Sequence, residues 1–224
     1  STRVEWCDWA ETCRAAAKYE TLAKARVARM VAGNVAFERR AARSPRNGRY
    51  RYVTLLGAEF SSVAEWRAQI AAMPTTATPG AAAGILESID RAIWRGRPDL
   101  SYSPDQPRIT NAEVGFVREV LLSPKFGSQQ AVEAILLEIK LLYEWHMSGE
   151  RRIVRELVLG SESPMISIVR LARDPQDFAE GSTRNRAMLG DELRELVNRN
   201  NRLMRELQIE DYLARPDLGY QPAN

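Results

Sequence analysis

A near-repeat restricts the architecture more than any other feature of the chain. Arg97-Pro98-Asp99-Leu100-Ser101-Tyr102-Ser103-Pro104 and Arg215-Pro216-Asp217-Leu218-Gly219-Tyr220-Gln221-Pro222 agree at six of eight positions, 118 residues apart in a chain of 224. An aromatic residue, Trp94 or Tyr212, precedes each copy by the same step, and at the same offset Phe60 aligns with Phe178. One reading is a duplication into two related halves, about 1–106 and 107–224. The other is a shared way of leaving a helix: Pro stops it, Asp takes an Asx-type turn, and Leu and Tyr pin the extended exit to the core. The offset yields little identity elsewhere, which favours the second reading and a single compact helical domain over 1–224.

Periodicity points to a mainly α fold: a multi-helix bundle with a long N-terminal helix, a central apolar helix, a long C-terminal helix and little or no β. From Trp6 to Phe37, Trp9, Cys13, Ala16, Leu22, Val27, Met30 and Val31 recur at three- and four-residue steps without a proline. Gln129 to Met147 is the most apolar run, and its apolar residues cover more than one stripe, as a helix at the centre of a core requires. Further helices are expected at about 61–73, 81–95, 110–122, 151–159, 164–173 and 182–213. Only Arg49–Phe60 has strand character, through Tyr50, Tyr52, Val53 and Thr54.

The balance of 32 basic against 29 acidic residues leaves a net charge of +3, so charge alone implies no nucleic-acid partner. Lysine stands only at Lys18, Lys24, Lys125 and Lys140 and the other basic residues are arginines, a composition expected of a GC-rich bacterial or phage gene. No window has the length and apolarity of a membrane span, and a cytoplasmic protein is expected in preference to an exported one. On one regular helix Cys7 and Cys13 would lie about 9 Å apart, too far for a disulfide, whereas a helix that starts only at Asp8 would allow a bridge.

Catalytic vocabulary is sparse. His146 is the sole histidine, which excludes multi-His metal sites. No Gly-x-Gly or Gly-Lys-Ser/Thr cradles a phosphate, and Glu144-x-His146 sends its two side chains to different faces of a helix. No catalytic residue, metal or cofactor is therefore expected. The leading expectation is a non-enzymatic helical subunit working through protein–protein contacts in a larger bacterial or phage assembly, with a protein partner or a second copy as its mate. Leu196, Asn200 and Leu203, on a heptad-like stripe of the terminal helix, and Tyr102, Tyr220 and Pro222 in the two exits are its candidate interface. The first alternative is a nucleic-acid or phosphate-binding module. Arg39, Arg40, Arg43, Arg46, Arg49 and Arg51, interleaved with Tyr50 and Tyr52, would make its contacts. The second is an enzyme whose pocket assembles from distant positions.

Overall fold

The computed structural model describes residues 4–13, 16–33, 38–55, 85–159 and 164–222. Contacts divide the chain into two compact units, Ser1–Trp94 with Arg215–Asn224, and Arg95–Ala214. The described elements are, in order, β1 (Val4–Cys13), α1 (Ala16–Ala32), β2 (Glu38–Arg43), β3 (Tyr50–Leu55), β4 (Leu86–Gly96), β5 (Phe116–Pro124), α2 (Gln129–Trp145), β6 (Ile153–Leu159), β7 (Ile166–Ala172), α3 (Pro175–Arg202) and β8 (Met204–Ala214). The fold is α+β.

In the first unit β1, β3 and β2 lie side by side and antiparallel, and β1 carries a bulge between Asp8 and Ala10. The β2–β3 turn closes through the Ser44 N–H on the Arg49 carbonyl. Gly48 supplies the positive φ of 70° that this turn needs. Helix α1 packs Tyr19 and Ala23 against Ala41, Tyr50, Tyr52 and Leu218. The buried Tyr19 hydroxyl donates to that of Tyr52 at 2.8 Å.

In the second unit four antiparallel strands run in the order β8-β5-β7-β6. Helix α2 buries Val132, Ile135, Leu136, Ile139, Leu142 and Tyr143 in a core shared with Leu122 of β5, Val154 of β6, Ile166 of β7 and Leu189 and Leu196 of α3. Strand side chains alternate between faces. One sheet face therefore lies under the helices, and the other holds buried Glu119, Arg155 and Ser167.

The repeated segments leave strands, not helices, and are held alike. In the second unit Arg97 forks onto Asp99 and reaches Glu133, fifth residue of α2, at 3.0 Å. Leu100 and Tyr102 are buried. Tyr102 exchanges backbone hydrogen bonds with Arg152 at 2.8 and 2.9 Å. In the first unit Arg215 forks onto Asp217 and reaches Glu20, fifth residue of α1, at 2.6 and 2.9 Å. Leu218 and Tyr220 are buried. Tyr220 exchanges backbone hydrogen bonds with Arg39, both at 2.7 Å.

This architecture overturns the expected mainly α bundle. The run from Trp6 to Phe37 contains a strand before its helix. The stretches expected as helices near 81–95, 110–122, 151–159 and 164–173 supply β4, β5, β6 and β7. Strands β5 and β7 are covered on both faces, so their apolar residues run on without alternation, and such a short run has no period that separates strand from helix. The terminal helix ends at Arg202, and the helix-forming residues after it pair along their whole length with β5. Tertiary pairing outweighs propensity there. Helix α2 lies where its periodicity placed it, and β3 falls inside the stretch expected to pleat. The helix expected at about 61–73 lies outside the described residues. Cys7 and Cys13 fall on one strand and not on the helix expected there, with about 20 Å of backbone between them at 3.3 Å per residue.

Candidate functional site

Register brings together arginines that are distant in sequence. Across the helix-covered face of the second unit, Asp211 of β8 pairs with Arg118 of β5, and Arg118 with Arg170 of β7. Ile153 pairs with Val169, so one step further the row continues to Arg152. Three guanidiniums and one carboxylate thus stand in a line from β8 through β5 and β7 to the residue just before β6. Like charges directly opposite one another repel.

The charges are compensated unequally. Arg118 is satisfied by a bidentate pair with Asp211 at 2.6 and 2.8 Å. Arg170 has no carboxylate within ion-pair distance among the described residues; its guanidinium lies 4.6 Å from the ring centroid of Phe178, which Arg118 approaches at 4.4 Å. Arg152 is 4% exposed and its one side-chain hydrogen bond runs from Nη1 to the Leu100 carbonyl at 3.3 Å. Burial, reinforced by neighbouring Arg170, pushes its pKa down to about 10. It therefore keeps its charge at neutral pH without an anion beside it.

The helices above the row supply aromatic and amide groups. Phe178 of α3 packs edge-inclined on Phe116, with centroids 5.4 Å apart. Tyr143 of α2 packs against Tyr102 at 5.6 Å and accepts from Asn185 of α3 at 3.3 Å. Ser148 donates to Asn185 at 3.0 Å, and its carbonyl accepts from Tyr102 at 2.7 Å. These bonds tie the end of α2 to the middle of α3. A carboxylate, enolate or phenolate meeting the row would gain charge-assisted hydrogen bonds in a water-poor setting.

The residues expected at an interface are largely buried, and Tyr102 adjoins the row through its backbone pairing with Arg152. Leu196 and Asn200 are buried in the second unit's core and Leu203 packs against it. Tyr102 is buried in that unit, whereas Tyr220 packs on Met30 in the first and Pro222 is half-buried. The arginine segment does not form one surface. Arg39 is buried 4.6 Å from the Tyr52 ring, and Arg43 is half-buried 5.2 Å from that of Tyr50. Arg49 and Arg51 are half-buried, leaving Arg40 and Arg46 exposed, and Arg40 pairs with Glu38 at 2.7 Å. Alternation along β2 and β3 sends neighbouring arginines to opposite faces. His146 caps α2, its N–H on the Leu142 carbonyl at 3.1 Å. Among the described residues no three of His, Cys, Asp and Glu come together as a metal would need, and no helix is long and apolar enough to cross a membrane.

Sequence reasoning missed Arg118, Arg152 and Arg170 because they are 34 and 18 residues apart. Their one signal is an arginine inside an apolar run, as in Ile166-Ser167-Ile168-Val169-Arg170-Leu171.

No family model and no curated protein matches the sequence. Solved structures share its fold. An anthrone oxidase-like protein superposes with a TM-score of 0.65 at 11% identity, over 95% of this chain and 91% of that one. A protein described as a monooxygenase, from Lactobacillus acidophilus NCFM, gives 0.59 at 6% over 99% and 97%. A chlorite dismutase from Candidatus Nitrospira defluvii gives 0.54 at 8% over 97% and 92%. At such identities the likeness is one of fold. It replaces the expected helical bundle with an α+β fold, and the subunit role read from that bundle goes with it.

Proposed function

We propose that the chain is an enzyme acting on a small organic anion, whose acidic group rests on Arg152 and Arg170 beneath α2 and α3. The observation that carries this reading is the pair of neighbouring guanidiniums with no carboxylate, one of them 4% exposed. Nothing else in their row neutralises them, because Asp211 is taken up by Arg118. The likeness in fold to an anthrone oxidase-like protein and a monooxygenase supports oxidation by dioxygen as the reaction class. For an aryl methylene, the carbon loses two hydrogens and gains one oxygen atom as a carbonyl, and the other oxygen leaves as water. The arginines act before that step, lowering the pKa of the substrate by stabilising its enolate or phenolate.

The test pairs binding with turnover. Fluorescence titration with 1-hydroxy-2-naphthoate is expected to lose at least tenfold in affinity in Arg152→Gln and in Arg170→Gln, and neutral 2-naphthol is expected to bind more weakly than the anion. Equal binding of the two probes, or unchanged affinity in both variants, overturns the site. Oxygen uptake with a hydroxylated anthrone is expected to exceed the uncatalysed rate. Anion binding without such uptake rejects the reaction class.

We also propose that the chain consists of two related halves, about 1–106 and 107–224. The supporting pattern is the common order of strand, helix, strand, strand in β1-α1-β2-β3 and β5-α2-β6-β7, with β4 and β8 each followed by a copy of the repeat. In both copies the partners are an Asp two residues on, the fifth residue of a helix, and a buried arginine at the start of a strand.

A further inference from the structure

Helix α2 buries one face and leaves another apolar and uncovered. Leu137, Leu141 and Trp145 are 42%, 53% and 82% exposed and, with exposed Gln130 and Ala134, form one stripe. Along the axis it is about 22 Å long at 1.5 Å per residue. Phe126, fully exposed in the turn before the helix, extends the stripe at one end, and exposed Met147 at the other. Scattered exposed apolar residues are ordinary, whereas a contiguous stripe marks a contact surface.

We infer that this face of α2 pairs antiparallel with the same face of a second copy of the chain. The spacing is self-complementary. Laid against itself in reverse, the stripe places Phe126 on Trp145, Gln130 on Leu141, and small Ala134 on large Leu137, each pair met twice about a two-fold axis. Antiparallel pairing also opposes the two helix dipoles.

The flanking charges permit the approach. Glu138 is held by Arg199 at 2.9 Å, Glu144 by Lys140 at 3.6 Å, and Glu133 by Arg97 at 3.0 Å. Two copies therefore bring no bare acidic rows together. The pairing places Lys125 of one copy near the Glu144 end of the other, joining opposite signs at both ends. A single helix face is small beside the roughly 1,600 Å² of a standard interface. The dimer is therefore concentration-dependent.

Sedimentation velocity of the full chain over a wide concentration range is the test. A monomer–dimer equilibrium is expected, and Leu141→Glu with Trp145→Glu is expected to raise its dissociation constant more than tenfold without lowering the melting temperature measured at a concentration where both proteins are monomeric, since both side chains face solvent. Under mild oxidation, Ala134→Cys with Leu137→Cys is expected to give a covalent dimer well above the level of the parent. A monomer at every concentration, a dimer indifferent to the two glutamates, or no added cross-link overturns the inference.

Discussion

Arg152 joins stability and binding in one side chain. A buried guanidinium with one carbonyl contact opposes folding, and replacing such a charge with an apolar side chain of similar length is often stabilising. Arg152→Met is expected to raise the stability of the ligand-free protein by about 1 kcal/mol while abolishing binding of the naphthoate probe; melting curves and titrations check the two halves of this prediction. Its pKa sets a pH limit as well. Burial lowers the group from its ordinary value to about 10, so between the two the native state gives up a proton that the unfolded chain keeps. Stability contributed by this residue therefore rises with pH across that window, and anion affinity falls above about pH 10. On the opposite sheet face Arg155 donates to Glu119 at 2.6 Å and to Ser167 at 3.1 Å, with Ser167 in turn donating to Glu119. Glu119→Leu removes the carboxylate of this buried ion pair and is expected to cost about 3–5 kcal/mol in urea unfolding. None of these roles is legible along the chain. The sequence draws attention to arginines crowded between residues 39 and 51, whereas the charges that matter are set side by side by register.

At the scale of elements, the exits were visible as a pattern but not as a structure. Trp94 and Tyr212 precede the two copies in runs whose glutamates, arginines and leucines suit a helix, and only pairing with a neighbouring strand makes β8 extended. The ionic clamp on the second copy is acid-labile. Arg215 lowers Glu20 to about 2, with help from the Tyr50 hydroxyl, and holds Asp217 at about 2. Both carboxylates lie below their unfolded values, so their contribution is complete above pH 4.5 and fades as pH falls toward 2. Arg215→Gln is expected to flatten that part of the stability–pH curve, measured by denaturant titration. Helix α3 carries a second constraint. Gly190 has φ 59° and ψ −148° inside the helix, a conformation in which a side chain is strained. Gly190→Ala is expected to cost about 1–3 kcal/mol although open space surrounds the new methyl group.

For the whole molecule, the central apolar helix and the repeat were the legible parts. Strand pairing between distant residues decided the rest, and no local period records it. If the halves are related, the matching arginines of the two clamps are equivalent, and Arg97→Gln and Arg215→Gln are expected to lower the melting temperature by similar amounts. The two units also differ in when they can be completed. The second is one continuous stretch, Arg95–Ala214, whereas the first takes its Leu218 and Arg215 contacts from a segment made 121 residues after Trp94. At about 5–20 residues per second on the ribosome, the opening unit waits roughly 6–24 s for its last pieces. During that interval Tyr19, Tyr50 and Tyr52 lack Leu218 beside them, so the part of the chain made first is the last to be finished.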